Sequence, residues 1–209
     1  MNGIYSFKPR FRQALLPLVG WLSRAGVAPD WLTFAAIPTG ALIGLALALG
    51  QTRPAWLWLV PALAVVRLAW NAMDGLLAQQ TGKARPWGEA LNELCDRITD
   101  MAIFVGLPLG SWLSWPESAL LLVLIILIAY IGTLGKAAGA TRQYGGPFGK
   151  ADRTLLLALA AVVVALAPDL PALRWFAWAA LPLGLITIGL RLRKIYCELS
   201  ASRESSVCL

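Results

Sequence analysis

Residues 71–100 read NAMDGLLAQQTGKARPWGEALNELCDRITD. This stretch decides the fold, because it sets polar groups between two runs that suit a lipid interior. It holds five of the eleven acidic residues: Asp74, Glu89, Glu93, Asp96 and Asp100. Apolar runs border it at 54–73 and 98–116. A charge at the centre of a membrane span costs roughly 2.5–3.5 kcal/mol on insertion scales. Stability does not favour such a group, so function is the default reading. At about 100° per residue, Glu89, Glu93, Asp96 and Asp100 fall within about 60° of one another on a helix, with Asn92 beside Asp96. On the preceding helix Asn71 and Asp74 share a face, and Arg67 lies one turn before Asn71.

The rest of the chain agrees with a membrane setting. It has 209 residues, 58% hydrophobic and 14% charged, with a mean hydropathy of +0.67. Soluble domains carry about 25% charged residues. At about 20 residues per span, the length allows about six spans and no second soluble domain. The expected segments are 31–50, 55–80, 87–111, 117–141, 151–168 and 172–195. Pro29-Asp30 reads as a turn and N-cap for the first. Prolines mark tight turns at Arg53-Pro54, Trp115-Pro116 and Pro168-Asp169-Leu170-Pro171. Before the spans, Phe11, Leu15, Leu18 and Leu22 recur on one helical face among Lys8, Arg10, Arg12 and Arg24. That pattern predicts an amphipathic helix in the membrane interface rather than a cleavable leader. The expected organisation is thus all-α: one membrane domain over 1–209, with an interfacial helix (1–27), a six-helix core (28–196) and a cytoplasmic tail (197–209).

Fourteen Lys and Arg fall on the side of the termini and only Arg53 and Arg174 on the side of the tight turns. The positive-inside rule then places both termini and the acidic cluster in the cytoplasm of a bacterial inner membrane or its equivalent. Trp56, Trp58, Trp112, Trp115, Trp175 and Trp178 flank the tight turns, where an outer aromatic belt belongs. The net charge of +7 reads as topology and attraction to anionic lipid, with no nucleic acid partner. No internal repeat points to a repeat-built transporter.

The chain has no His, and Cys95, Cys197 and Cys208 are far apart. Imidazole bases, Ser-His triads and His- or Cys-ligated metals are excluded. Oxygen donors alone suit Mg²⁺, Mn²⁺ or Ca²⁺, and Mg²⁺ on carboxylates usually accompanies phosphate chemistry. Gly75 and Gly88 would let a nucleotide approach the backbone. Lys136, Arg142, Lys150 and Arg153 flank the loop Tyr144-Gly145-Gly146-Pro147-Phe148-Gly149 and offer a phosphate site.

The stretch from Asn71 to Asp96 resembles the signature of the CDP-alcohol phosphatidyltransferase family, D-x-x-D-G-x-x-A-R, eight residues, G-x-x-x-D-x-x-x-D. Every spacing matches over 26 residues. Asp74, Gly75, Ala78, Gly88 and Asp96 are identical; Asn71, Asn92 and Gln79 stand where the family has Asp, Asp and Arg. Ala28-Pro29-Asp30-Trp31-Leu32-Thr33 is similar to the family's Pro-Asn-x-x-Thr lead-in to its first span, and Gly149-Lys150-Ala151-Asp152-Arg153 to its basic lead-in to the fifth.

The resemblance implies a membrane transferase that moves a phosphatidyl group from CDP-diacylglycerol to an alcohol acceptor and releases CMP, with lipid tails entering between helices. It implies one or two Mg²⁺ or Mn²⁺ ions on the signature positions Asp74, Asp96, Asn71 and Asn92, with Asp96 also the base. The charge lost at the two Asn leaves two ions under-neutralised unless Glu89, Glu93 or Asp100 joins, and Glu93, next to Asn92, is the best candidate. Gly75, Ala78 and Gly88, with Asp74, would shape the nucleotide pocket, and Lys150, Arg153 and Arg142 would meet phosphate or acceptor. A homodimer is implied by the family alone. The alternatives are phospho-alcohol transfer from a soluble CDP-alcohol to diacylglycerol, a non-catalytic nucleotide- or lipid-binding member, and a small ion-coupled transporter.

Overall fold

The computed structural model describes residues 8–207. Residues 1–7 of the expected interfacial helix, and Cys208, lie outside the described residues. Seven α-helices follow in order: α1 (Lys8–Arg24), α2 (Pro29–Gly50), α3 (Leu59–Gln80), α4 (Pro86–Leu109), α5 (Trp115–Ala137), α6 (Lys150–Leu166) and α7 (Ala172–Val207). A short 3₁₀ turn, Pro54–Trp58, leads into α3. No strand occurs among the described residues.

Among the described residues, four segments are long and apolar enough to cross a membrane: Pro29–Gly50, Pro54–Gln80, Trp115–Ala137 and Ala172–Ala201. The two other expected spans differ for physical reasons. The first half of α4 carries Glu89, Glu93, Asp96, Arg97 and Asp100, and α6 has only 17 residues.

Local chemistry sets the helix starts. Pro29 and Pro86 each occupy the first position of their helix, where a missing N–H costs nothing. Asp30 is therefore not the N-cap of α2: Ala28 precedes the helix, without a side-chain cap, and Asp30 sits inside the first turn. There its charge favours the helix dipole, and it pairs with Arg85 at 2.5 Å. Helix α5 starts at Trp115 behind a capping box, in which Ser114 Oγ accepts from Glu117 N and Ser114 N donates to Glu117 Oε2 at 2.8 Å. The last helix continues well past the expected end at 195, because no Gly or Pro follows Gly189 to stop it. Much of the expected tail is thus helix.

The contact surface of α1 also differs from the sequence reading. Val19 and Leu22 are buried against Leu32, Met73 and Leu77, whereas Leu18 is 44% exposed. Val19 and Leu22 stack over one turn, and Leu18 turns away from them.

Contacts between the links define two ends of the bundle. At one end Trp112 Nε1 donates to Leu47 O at 2.8 Å, Leu57 packs over Gly50, and Arg174 pairs with Glu117. Trp58, Trp115, Trp175 and Trp178 are exposed there. At the other end Asp30, Glu89 and Glu93 meet basic residues of neighbouring elements, and Glu198 of α7 accepts from Thr141 N at 2.7 Å.

Helices α2 and α4 pack backbone against backbone. A β-carbon at Gly106 would lie 2.2 Å from Gly44 O, and one at Gly44 would lie 2.1 Å from Ala102 O. Small residues permit such close approach in membranes. This contact fixes the register of α4, and so of its carboxylates. Gly106→Val is expected to lower stability by about 1–3 kcal/mol through overpacking, read as a lower Tm in detergent. An unchanged Tm would refute this packing.

Candidate active site

A cleft of about 1180 Å³ opens at the end that carries Asp30 and Glu89. Its size exceeds the usual few hundred to about 1,000 Å³ of a small-molecule site. Polar residues of α3 and α4 form its floor. Val65 and Leu68 of α3, Ile128 and Ala129 of α5, and Leu155 of α6 make part of its wall apolar.

Helix α3 presents Asn71 and Asp74, α4 presents Asn92 and Asp96, and the first residue of α6 presents Lys150. These five meet. Asp74 is held from three sides: Gly75 N donates to Oδ1 at 2.6 Å, and Thr33 Oγ1 of α2 (at 3.2 Å) and Asn92 Nδ2 donate to Oδ2. Lys150 Nζ donates to both Asn71 Oδ1 and Asp96 Oδ1. Asn71 Nδ2 in turn donates to Arg67 O at 2.9 Å, which fixes the amide with its carbonyl oxygen toward Lys150. Asp74 and Asp96 are both buried.

The four acids that share one face of α4 separate in the fold. Asp96 joins Asp74 across the cleft floor. Asp100 goes deeper and is fully buried, pairing with Arg67 and Arg153 at 2.6 Å each and with Arg97 at 3.1 Å. Glu89 and Glu93 turn outward: Glu93 pairs with Arg142, and Glu89 with Arg142 at 3.3 Å and Lys136 at 2.5 Å. The Arg142 guanidinium also lies over the Tyr144 ring, 4.7 Å from its centre. Glu93 lines the cleft, but its carboxylate is engaged by Arg142 rather than brought to the Asp74–Asp96 pair. Arg153, expected to face phosphate, is held by Asp100 and almost entirely buried.

Gly75, Ala78, Gly88 and Gln79 all line the cleft. A β-carbon at Gly75 would meet nothing within 4 Å, and one at Gly88 would meet only Arg85 Cγ at 3.7 Å. Neither glycine is required by packing within the chain. Both leave space on the cleft side.

Two residues had no role assigned from sequence. Thr33 belongs to the Pro29–Thr33 lead-in, yet nothing in its spacing announced the bond to Asp74. Arg97 takes part in the Asp100 cluster; its signal was the i,i+3 spacing to Asp100.

The donor set fits a hard divalent cation. It consists of two carboxylates and two amide side chains, all with oxygen donors, and a cationic group already lies between Asn71 and Asp96. Among the described residues, no three Asp, Glu or Cys side chains converge to form a more acidic centre.

Residues 26–186 match the family model of the CDP-alcohol phosphatidyltransferases. Inner membrane protein YnbA of Escherichia coli K12 is 35% identical over 180 residues, 84% of each chain. The phosphatidylinositol phosphate synthase of Mycobacteroides abscessus is 29% identical over 169 residues, 78% of this chain and 74% of its own. The Mycobacterium tuberculosis phosphatidylinositol phosphate synthase, crystallised with CDP-diacylglycerol bound, superimposes with a TM-score of 0.66 at 27% identity, covering 86% of this chain and 92% of its own. Its complex with manganese and citrate gives a TM-score of 0.67 at 26% identity, covering 86% and 88%. With the signature spacing, the all-helical apolar fold and the matched span in agreement, the chain belongs to the CDP-alcohol phosphatidyltransferase family, transferases of membrane phospholipid synthesis.

Proposed function

We propose that the chain transfers a phosphatidyl group from CDP-diacylglycerol to the hydroxyl of a phosphate-bearing alcohol and releases CMP. The observation that carries this reading is the meeting of Asp74, Asn92, Asp96, Asn71 and Lys150 on the floor of one large cleft. The apolar wall from α3, α5 and α6 supports acyl chains lying between those helices while the nucleotide occupies the polar end. The phosphatidylinositol phosphate synthases among the relatives support a phosphorylated acceptor.

Asp74, Asp96 and Asn92 would hold Mg²⁺ or Mn²⁺. When bound, the ion neutralises the pyrophosphate and the charge that develops at phosphorus. Asp96 accepts the proton of the acceptor hydroxyl. The hydroxyl oxygen then bonds to the phosphorus that carries the diacylglycerol, and the bond from that phosphorus to the bridging oxygen breaks. CMP leaves with the electron pair. Gly75 and Gly88 give the nucleotide room at the backbone. Lys150 places positive charge beside the breaking bond.

In this reading α4 and α6 complete a six-span core with α2, α3, α5 and α7, and α1 lies along the interface. Both termini and the cleft face the cytoplasm of a bacterial inner membrane or its equivalent, as the basic residues at the cleft end support. The whole of 1–209 acts as one membrane domain, and the homodimer of the family is part of the proposal.

The experiment supplies labelled CDP-diacylglycerol with glycerol phosphate, inositol phosphate, inositol or serine, and separately a soluble CDP-alcohol with diacylglycerol. The expected result is a phospholipid product only from CDP-diacylglycerol with a phosphorylated acceptor. Product only from a CDP-alcohol and diacylglycerol would reverse the direction of transfer. Tight CDP binding without turnover on any donor would make the chain a non-catalytic member.

A further inference from the structure

The two amides at Asn71 and Asn92 halve the negative charge that four carboxylates at these positions would supply. The neighbouring acids do not restore it. Glu89 and Glu93 are paired with Lys136 and Arg142. Asp100 is enclosed by three arginines. Asp30 is paired with Arg85, and the Asp152 carboxylate lies back beside Gly149 at the start of α6. On the cleft floor Asp74 and Asp96 remain, with a combined charge of −2. The Lys150 ammonium stands against Asp96 and takes the carbonyl oxygen of Asn71 as a second partner. Its side chain is 25% exposed, so it reaches from the start of α6 to the cleft floor rather than out to solvent.

Resting on the reading that the cleft takes a CDP-linked substrate, we propose that this chain holds one divalent ion, on Asp74, Asp96 and Asn92, and that the Lys150 ammonium takes the place of a second beside the pyrophosphate. The charges balance on this count. One divalent ion neutralises the two carboxylates, and Lys150 then faces the pyrophosphate as a fixed positive charge. A second ion would meet Lys150 at close range with an amide at Asn71 where a carboxylate is needed. Asn71 positions Lys150: its amide is fixed by Arg67 O, so its oxygen is held ready for the ammonium.

The test counts Mn²⁺ by electron paramagnetic resonance on the full chain in detergent, with and without saturating CDP. One ion per chain is expected in both conditions. The double variant Asn71→Asp/Asn92→Asp is expected to bind two, with the broadened signal of a coupled pair. Lys150→Met is expected to bind its single ion about tenfold more tightly without CDP, because a like charge has been removed from close range. Two ions in the unmodified chain with CDP would overturn the single-ion centre. Unchanged Mn²⁺ affinity in Lys150→Met would overturn the role of Lys150. CDP binding with no Mn²⁺ in either condition would overturn the metal reading on which both rest. The count on the unmodified chain decides the matter even where a variant does not fold.

Discussion

Replacing Asp96 by Asn is expected to lower CMP release from CDP-diacylglycerol by about 10³-fold, within the range for loss of a positioned general base. The substitution keeps the shape of the side chain and its contact with Lys150 but removes the proton acceptor. The fold should survive, because α4 is positioned mainly by its backbone contact with α2 at Gly44 and Gly106. The same change also removes half the carboxylate charge of the site, so turnover is to be compared at saturating Mn²⁺. Retention of CDP binding with loss of turnover is the expected pair of results. Activity within tenfold of the parent at saturating metal would place the base elsewhere.

Asp100→Leu is expected to have the largest effect on stability. Asp100 is fully buried and pairs with Arg67, Arg97 and Arg153. Removing it leaves three cations in the bundle interior without their shared partner. Breaking one side of a buried ion pair costs about 3–5 kcal/mol, because the remaining charge is uncompensated. The expected readout is a strongly lowered Tm, or no monodisperse protein in detergent. The cluster also ties α3 to α4 and α6, the helices that supply Asn71, Asp74, Asp96 and Lys150. Asp100→Asn, which keeps hydrogen-bond acceptance, is expected to be the milder change. A Tm for Asp100→Leu equal to that of the parent would show that the arginines are neutralised by other means.

The helices were legible because proline and charge separate the apolar runs: Pro29, Pro54 and Pro116 each stand within the first turn of an element. That Asn71 and Asp74 share one helical face, and Asn92 and Asp96 another, was legible from spacing alone, since a helical face is a local property. The fates of Glu93 and Asp100 were not. Both lie on the same face as Asp96, yet one meets Arg142 from the α5–α6 loop and the other meets Arg153 from α6. Those partners lie about fifty residues away in sequence, so only tertiary packing decides between ligand, loop tether and buried counter-ion. Lys150 was expected at a phosphate; its place between Asn71 and Asp96 depends on how α6 begins beside α3. The extension of α7 was missed because its polar composition resembles a tail. Its helix formers nonetheless run on without a breaker, and Glu198 docks on Thr141 and Gln143.

We propose that the Asp74–Asp96 floor performs divalent-ion-dependent phosphatidyl transfer. The direct measurement is CMP release from CDP-diacylglycerol by the full chain in detergent, with a phosphorylated alcohol and Mg²⁺ or Mn²⁺, before and after chelation. CMP release is expected to require acceptor, to be abolished by the chelator and to return when the ion is restored. CMP release that persists undiminished in excess chelator, or none with any acceptor, would contradict it.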